Sequence, residues 1–261
     1  MTNAQKVIKY LSIAFAFYLI ISLCYIFFSV FNIVSDSNEN KIDNYKITEL
    51  ARDFDNINID LSITSLDIKT GDKFKIETNN EYISIKENNN KITIKEKANL
   101  KVNKNYKLNI TLPDKTFNKV RINNGAGKVN IDRLSSDDID FDFGAGKVLI
   151  NNLTADEIDM DTGAGSVKIT NSNLDDLDLN IGIGELYLTG YLKGNSKIDS
   201  GIGKVSIKLL DNKDNYTFKV SKGIGKVVIN DKEISDDETI GEGNNLINID
   251  GGIGNIKILT N

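Results

Sequence analysis

The 261-residue chain contains no histidine and no tryptophan, and only one cysteine and one proline. Without imidazole, histidine-dependent triads, Cys-His dyads and the usual His-rich zinc and iron centres are excluded. The single cysteine, Cys24, leaves neither an intramolecular disulfide nor a thiolate cluster. Side-chain catalysis would have to run on carboxylates, Lys, Ser or Tyr. Positive charge is also in short supply: 32 Lys and Arg stand against 37 Asp and Glu, and the net charge of −5 argues against nucleic acid as a partner. The lone proline, Pro113, follows Leu112 where a strand should stop.

Charge is missing altogether from Tyr10 to Ser35, a run filled by residues such as Leu11, Phe15, Leu19, Ile20, Phe27 and Phe31. As a helix it would extend roughly 39 Å, enough to cross a hydrocarbon layer of ~30 Å with some tilt. Lys6 and Lys9 precede it, and Asp36 and Glu39 follow. The positive-inside rule then makes residues 1–9 a short cytoplasmic tail and puts everything after the helix outside the cell membrane. The run is too long for a signal peptide and lacks an Ala-x-Ala site, so residues 10–35 are read as an uncleaved single-pass anchor. Ile21-Ser22-Leu23-Cys24 resembles a lipoprotein box, but Leu23 stands where that chemistry wants a small residue. Residues 36–54 read as a polar stalk.

What is present, at a fixed interval, is glycine. Gly125-Ala126-Gly127 is followed at nineteen-residue steps by Gly144-Ala145-Gly146, Gly163-Ala164-Gly165, Gly182-Ile183-Gly184 and Gly201-Ile202-Gly203. Two looser copies follow, Gly223-Ile224-Gly225 and Gly252-Ile253-Gly254, after insertions around 211–216 and 231–245. A period near 20 marks a solenoid, whose repeats bury their apolar sides only by stacking. Glycine belongs at corners, where the backbone needs φ > 0 or approaches another backbone closely. The middle Ala or Ile is expected to fill the corner's interior.

In register, the copies put Val129, Val148, Val167, Leu186 and Val205 at one position and Ile131, Ile150, Ile169, Leu188 and Ile207 two residues on. Ile139 and Phe141, Ile158 and Met160, and Leu177 and Leu179 form a second set. Polar residues lie between them, so each repeat carries two short strands with one buried face apiece. The expected fold is all-β, a single-stranded parallel β-solenoid or β-helix over residues 123–261. Residues 55–122 alternate as well, from Ile57, Ile59, Leu61 and Ile63 to Val120 and Ile122, with Asn88-Asn89-Asn90 as a hairpin turn, but lack the glycine corner. They read as irregular first coils or a β-rich cap.

An N-terminal membrane helix, a polar stalk, short alternating strands and repeated Gly-Ala-Gly-Lys-Val or Gly-Ile-Gly-Lys-Val corners resemble the bacterial "putative adhesin" family of unknown function. These are toastrack-type β-solenoids of membrane proteins associated with envelope stress. The resemblance spans roughly residues 50–261 and implies a fold; it brings no catalytic or ligand residues.

Gly203-Lys204 and Gly225-Lys226 lack the Ser or Thr and the upstream glycine of a phosphate-binding loop. Gly251-Gly252-Ile253-Gly254-Asn255 resembles one unrepeated calcium nonapeptide, with Asn where Asp should be. The acids carry more. Asp138, Glu157 and Asp176 share one repeat position, Asp140, Asp159 and Asp178 another, and Asp142, Asp161 and Asp199 a third. Stacking would line their carboxylates up at about 4.8 Å, repelling by about 1 kcal/mol per pair in water. Three readings remain open: a solvent-screened face that keeps the domain soluble, Ca²⁺ bridging by oxygen ligands, or a carboxylate-dependent polysaccharide-active enzyme of the β-helix type. Acids that recur in every coil look like architecture before catalysis, so no catalytic residue and no resident cofactor are assigned.

At the C-terminus, Ile256 and Ile258 begin a coil whose second strand is missing, leaving Ile247 and Ile249 uncovered. These four isoleucines are the expected partner edge, to be covered by a lid folded back from 231–245, by a second copy of the chain, or by a strand from another protein. The function expected is a membrane-anchored, extracytoplasmic, non-enzymatic module for adhesion or envelope-stress sensing, with an envelope protein, a cell-wall glycan or its own copies as partners.

Overall fold

Alternating apolar and polar residues want an extended backbone with one face buried, and the computed structural model satisfies that demand almost throughout the residues it describes, 45–50, 52–97 and 105–261. The tail, the anchor at 10–35 and most of the stalk lie outside the described residues. Among the described residues there is no α-helix, and no helix long and apolar enough to cross a membrane.

Seven short strands come first: β1 (Lys46–Glu49), β2 (Asn56–Leu61), β3 (Ser65–Gly71), β4 (Lys75–Thr78), β5 (Ile83–Asn88), β6 (Lys91–Glu96) and β7 (Lys107–Pro113). Five long ones follow, β8 (Thr116–Ile131), β9 (Leu134–Asn151), β10 (Leu153–Asp175), β11 (Leu177–Lys193) and β12 (Asn195–Leu209). After a 3₁₀ turn at Lys213–Asn215 come β13 (Tyr216–Ile229), β14 (Lys232–Ile234), β15 (Glu238–Ile240) and β16 (Asn245–Leu259). Each long strand is one repeat, running through its glycine corner without interruption. The nineteen-residue register holds: Val148 pairs with Val129 and Val167, and Ile150 with Ile131 and Ile169, all parallel. The apolar residues on both sides of the corner, Ile139 and Phe141 as well as Val148 and Ile150, are buried in one continuous core.

The corners show why two glycines are needed. The second has φ between +136° at Gly127 and +155° at Gly184. A Cβ on Gly144 would lie 2.2 Å from the Gly125 carbonyl oxygen, and one on Gly146 would lie 1.9 Å from that of Gly127. Successive corners therefore stack backbone on backbone, and no interior space is left for the residue between. The middle residue points outward instead: Ile183, Ile202, Ile224 and Ile253 are 41%, 47%, 75% and 51% exposed. The expectation that it fills the interior is corrected, because the inward alternation slips by one between buried Ile181 and Leu186, an odd interval.

The β-rich cap is an irregular first coil plus covering strands. β2 and β3 both pair parallel with β8, on opposite sides of the bend Ser62-Ile63-Thr64. That bend has no glycine. The Glu96 carboxylate accepts hydrogen bonds from the amides of Ser62, Ile63 and Thr64 at 2.7, 3.1 and 3.3 Å. β6 and β7 continue the two halves outward in parallel, and β5, β4 and β1 close them antiparallel. Asn89, with φ +47°, makes the expected β5–β6 turn. The sheet starts at β1, inside the segment assigned to the stalk, and β8 runs across the 122/123 boundary, so cap and repeats share one sheet.

The C-terminal end departs most from expectation. In space the order is β12-β16-β13-β14: the chain skips a slot after β12, forms β13, and returns with β16 to fill the gap in parallel on both sides. Ile247, Ile249, Ile256 and Ile258 are accordingly interior, at most 4% exposed, and are not an open edge. The outer flank is β13, which β14 and β15 cover antiparallel. The 231–245 insertion is thus a lid, but over the sixth corner's strand rather than the seventh's. The ion pair Lys226–Glu233 (3.3 Å) ties it to β13, and Lys232–Glu238 (3.2 Å) joins its two short strands to each other.

Candidate functional site

A parallel ladder carries each residue's neighbour nineteen positions along, so outward side chains stack into columns. Asp140, Asp159 and Asp178 form one, as expected, and it continues to Arg121 at one end and Lys197 at the other. The Arg121 guanidinium donates to Asp140 through Nε at 2.7 Å and through Nη2. Asp138 and Glu157 form a second column headed by Lys119, whose ammonium bonds Asp138. Asp176 is not paired in it. It sits at φ +44° and its carboxylate accepts the Asn195 amide of the next coil at 2.7 Å.

The third column reads Asn123, Asp142, Asp161, Asn180, Asp199, Asp250 and Ser221 in spatial order. Asn180 donates to Asp161 at 2.9 Å, and Lys197 bonds Asp199 at 2.5 Å. Repulsion is thus relieved in part within the fold, by Lys119, Arg121 and Lys197 and by Asn180 between Asp161 and Asp199, while Asp140, Asp159 and Asp178 remain direct neighbours. Stepping nineteen residues back from Asp140 or on from Asp178 reaches Arg121 and Lys197, so the same period that aligns the acids also locates their cations. The residual strain falls on Asp159, whose carboxyl is raised above the ordinary 3.8 first by desolvation and then by the charges of Asp161, Asp178, Asp140 and Glu157. Among the described residues no three acidic side chains gather as a group able to hold a metal ion. The columns are lines, whereas Ca²⁺ wants six to eight oxygens around a point.

The third column walls an open groove of about 570 Å³ along the corners, floored by Gly163, Gly182, Gly201 and Gly252. Asp142, Asp161, Asp199 and Asp250 bring four carboxylates to it. Asp250 escaped notice in the sequence because β16 comes after β13 in the chain but before it in the stack. All fourteen glycines assigned to corners lie at corners in the strands. Chemically, the groove offers a row of acceptors on a rigid backbone for cationic or hydroxyl-rich groups.

A sheet of stacked parallel repeats with backbone-on-backbone corners defines a β-solenoid protein. The sequence pattern of the Toastrack DUF4097 family matches residues 44–258, and the chain belongs to that family. Among solved structures it is similar to a "putative cell adhesion protein" from Clostridium sporogenes, with 16% identity, 84% of this chain and 99% of that one covered, and a TM-score of 0.38. It is also similar to a "putative adhesin" from Bacteroides fragilis (15% identity, 83% and 97% covered, TM-score 0.34) and a "Putative lipid binding protein" from Parabacteroides distasonis (16%, 83% and 97%, 0.38). No curated protein matches the chain.

Proposed function

We propose that this is a non-enzymatic binding module of the cell envelope, anchored by residues 10–35 with residues 44–261 outside the membrane, serving adhesion or envelope-stress sensing. The observation that carries it is the acidic groove: four of five successive coils bring a carboxylate to it, with Asn180 in the remaining one, and the adjacent column is already terminated by Arg121 and Lys197. Such a surface presents a repeating pattern to a repeating partner, such as a cell-wall glycan or an extended envelope protein. The anchoring is supported by the charge-free run Tyr10–Ser35 and the lysines before it.

The experiment is retention of purified residues 44–261 on cell-wall polysaccharide, compared with a variant carrying Asp142→Asn, Asp161→Asn and Asp199→Asn. Retention lost in the variant, with no reducing sugar released by either protein, is the expected result. Sugar release that depends on these acids would instead establish the polysaccharide-active enzyme, for which four carboxylates in one groove are the favouring observation. Protection of the C-terminal domain from protease added to intact cells would overturn the topology.

A further inference from the structure

The outward middle residues of the corners form a column of their own. In spatial order it runs Ala126, Ala145, Ala164, Ile183, Ile202, Ile253, Ile224, each paired with the next. Seven coils at about 4.8 Å make a ridge ~29 Å long. Its isoleucine half is 41% to 75% exposed. Large apolar residues placed side by side on a rigid backbone, rather than scattered, mark an interaction surface.

The charge beside the ridge says what covers it. On one flank lies the groove with Asp142, Asp161, Asp199 and Asp250. On the other, the residue after each corner gives the column Lys128, Lys147, Ser166, Glu185, Lys204, Asn255, Lys226. Lys128, Lys147 and Lys204 have no hydrogen-bond or ion-pair partner among the described residues. An apolar ridge with opposite charges on its two sides is self-complementary under one operation, a two-fold rotation about an axis parallel to the ridge. That rotation sets each coil against its own copy and crosses the flanks. Lys147 then faces its partner's Asp142, Lys204 its partner's Asp199, and Glu185 its partner's Asn180; in no coil do like charges meet. The perpendicular two-fold would set lysines against lysines and aspartates against aspartates. A negatively charged lipid surface would meet the aspartate flank as well as the lysines.

We propose that the isoleucine ridge is a self-association surface, occupied by the ridge of a second copy of this chain about a two-fold axis parallel to it. The unpartnered lysines of each copy enter the acidic groove of the other. An isologous contact of this kind closes at two subunits, and opposite flanking charge sets its register and direction. This does not rest on the binding role proposed above and competes with it for the same groove, since partner lysines seated there exclude a glycan. The crosslink reports on self-association and polysaccharide retention on the binding role, so the failure of one is distinguishable from the failure of the other.

The test uses the full chain in intact cells, with Cys24→Ser to remove the native thiol. Ile202→Cys is expected to crosslink to itself through a short bis-maleimide, whereas co-expressed Ile183→Cys and Ile224→Cys chains should not crosslink to each other. Adding Ile253→Lys, at an exposed position, should abolish the Ile202→Cys crosslink while leaving the strand-dominated circular dichroism spectrum of the purified chain unchanged. Lys147→Asp should weaken association at least tenfold, and Lys147→Asp with Asp142→Lys should restore it, a rescue that a merely folding-related effect would not give. Absence of the Ile202→Cys crosslink, its survival in the Ile253→Lys variant, an Ile183-to-Ile224 crosslink, or failure of the charge swap would each overturn the proposal. A blue shift of a dye on Ile202→Cys with phosphatidylglycerol vesicles, without any crosslink, would assign the ridge to lipid and overturn it too.

Discussion

Replacing the second glycine of a corner separates two costs that are usually confounded. Gly127 and Gly146 have similar backbone angles, φ +136° and +148°, so alanine at either carries strain of about 1–3 kcal/mol. Their surroundings differ. A Cβ on Gly127 meets nothing closer than 3.6 Å, because the coil beneath it is the glycine-free bend at Ser62 to Thr64, whereas a Cβ on Gly146 lands 1.9 Å from the Gly127 carbonyl oxygen. Restoring ordinary contact requires parting the two coils by about 1.5 Å, which lengthens the ladder hydrogen bonds around the corner past any useful distance. Two or three such bonds at about 1 kcal/mol each, added to the strain, put Gly146→Ala at roughly 3–6 kcal/mol and leave Gly127→Ala at roughly 1–3 kcal/mol, a difference of about 2–3 kcal/mol because the strain is common to both. Urea midpoints of residues 44–261, followed by circular dichroism, measure both. Equal shifts would refute the claim that coil-on-coil contact, rather than backbone conformation, demands glycine here.

Ile150 is fully buried and Lys147 exposed, so Ile150→Asp should lower the melting temperature sharply, by several kcal/mol of stability, while Lys147→Asp leaves it nearly unchanged; equal effects would put the register wrong. Asp159 has its carboxyl raised in the fold, so its charge opposes folding above that raised value, and the penalty vanishes as pH falls below the unfolded value near 3.8. Asp159→Asn should therefore be neutral or slightly stabilising at pH 7, by under about 1 kcal/mol for so exposed a group, with the gain gone in acid; clear destabilisation at pH 7 would contradict this. Deleting residues 245–261 removes four buried isoleucines worth roughly 6–12 kcal/mol together and opens the slot between β12 and β13. Limited proteolysis should then cut within 210–244, and a peptide of residues 245–261 should protect it; an unchanged cleavage pattern would mean that the slot closes without β16.

The repeat period, the identity of the inward residues and the glycine corners were legible in the chain itself, because a parallel stack turns sequence distance into spatial adjacency: what lies nineteen residues away lies one strand away. That rule extends even to the charge ends Arg121 and Lys197, which sequence reading missed only by not stepping once more. It fails where adjacency stops following the chain. Nothing in the residues of 210–216 announces that a slot is skipped, so the burial of Ile247, Ile249, Ile256 and Ile258, the place of Asp250 in the groove and the lid over β13 were decided by tertiary pairing. The outward turn of Ile183, Ile202, Ile253 and Ile224 is a tertiary fact for a related reason. Period-two alternation assigns a side only along a straight strand, and at the corner it is the backbone of the neighbouring coil that forces the middle side chain out.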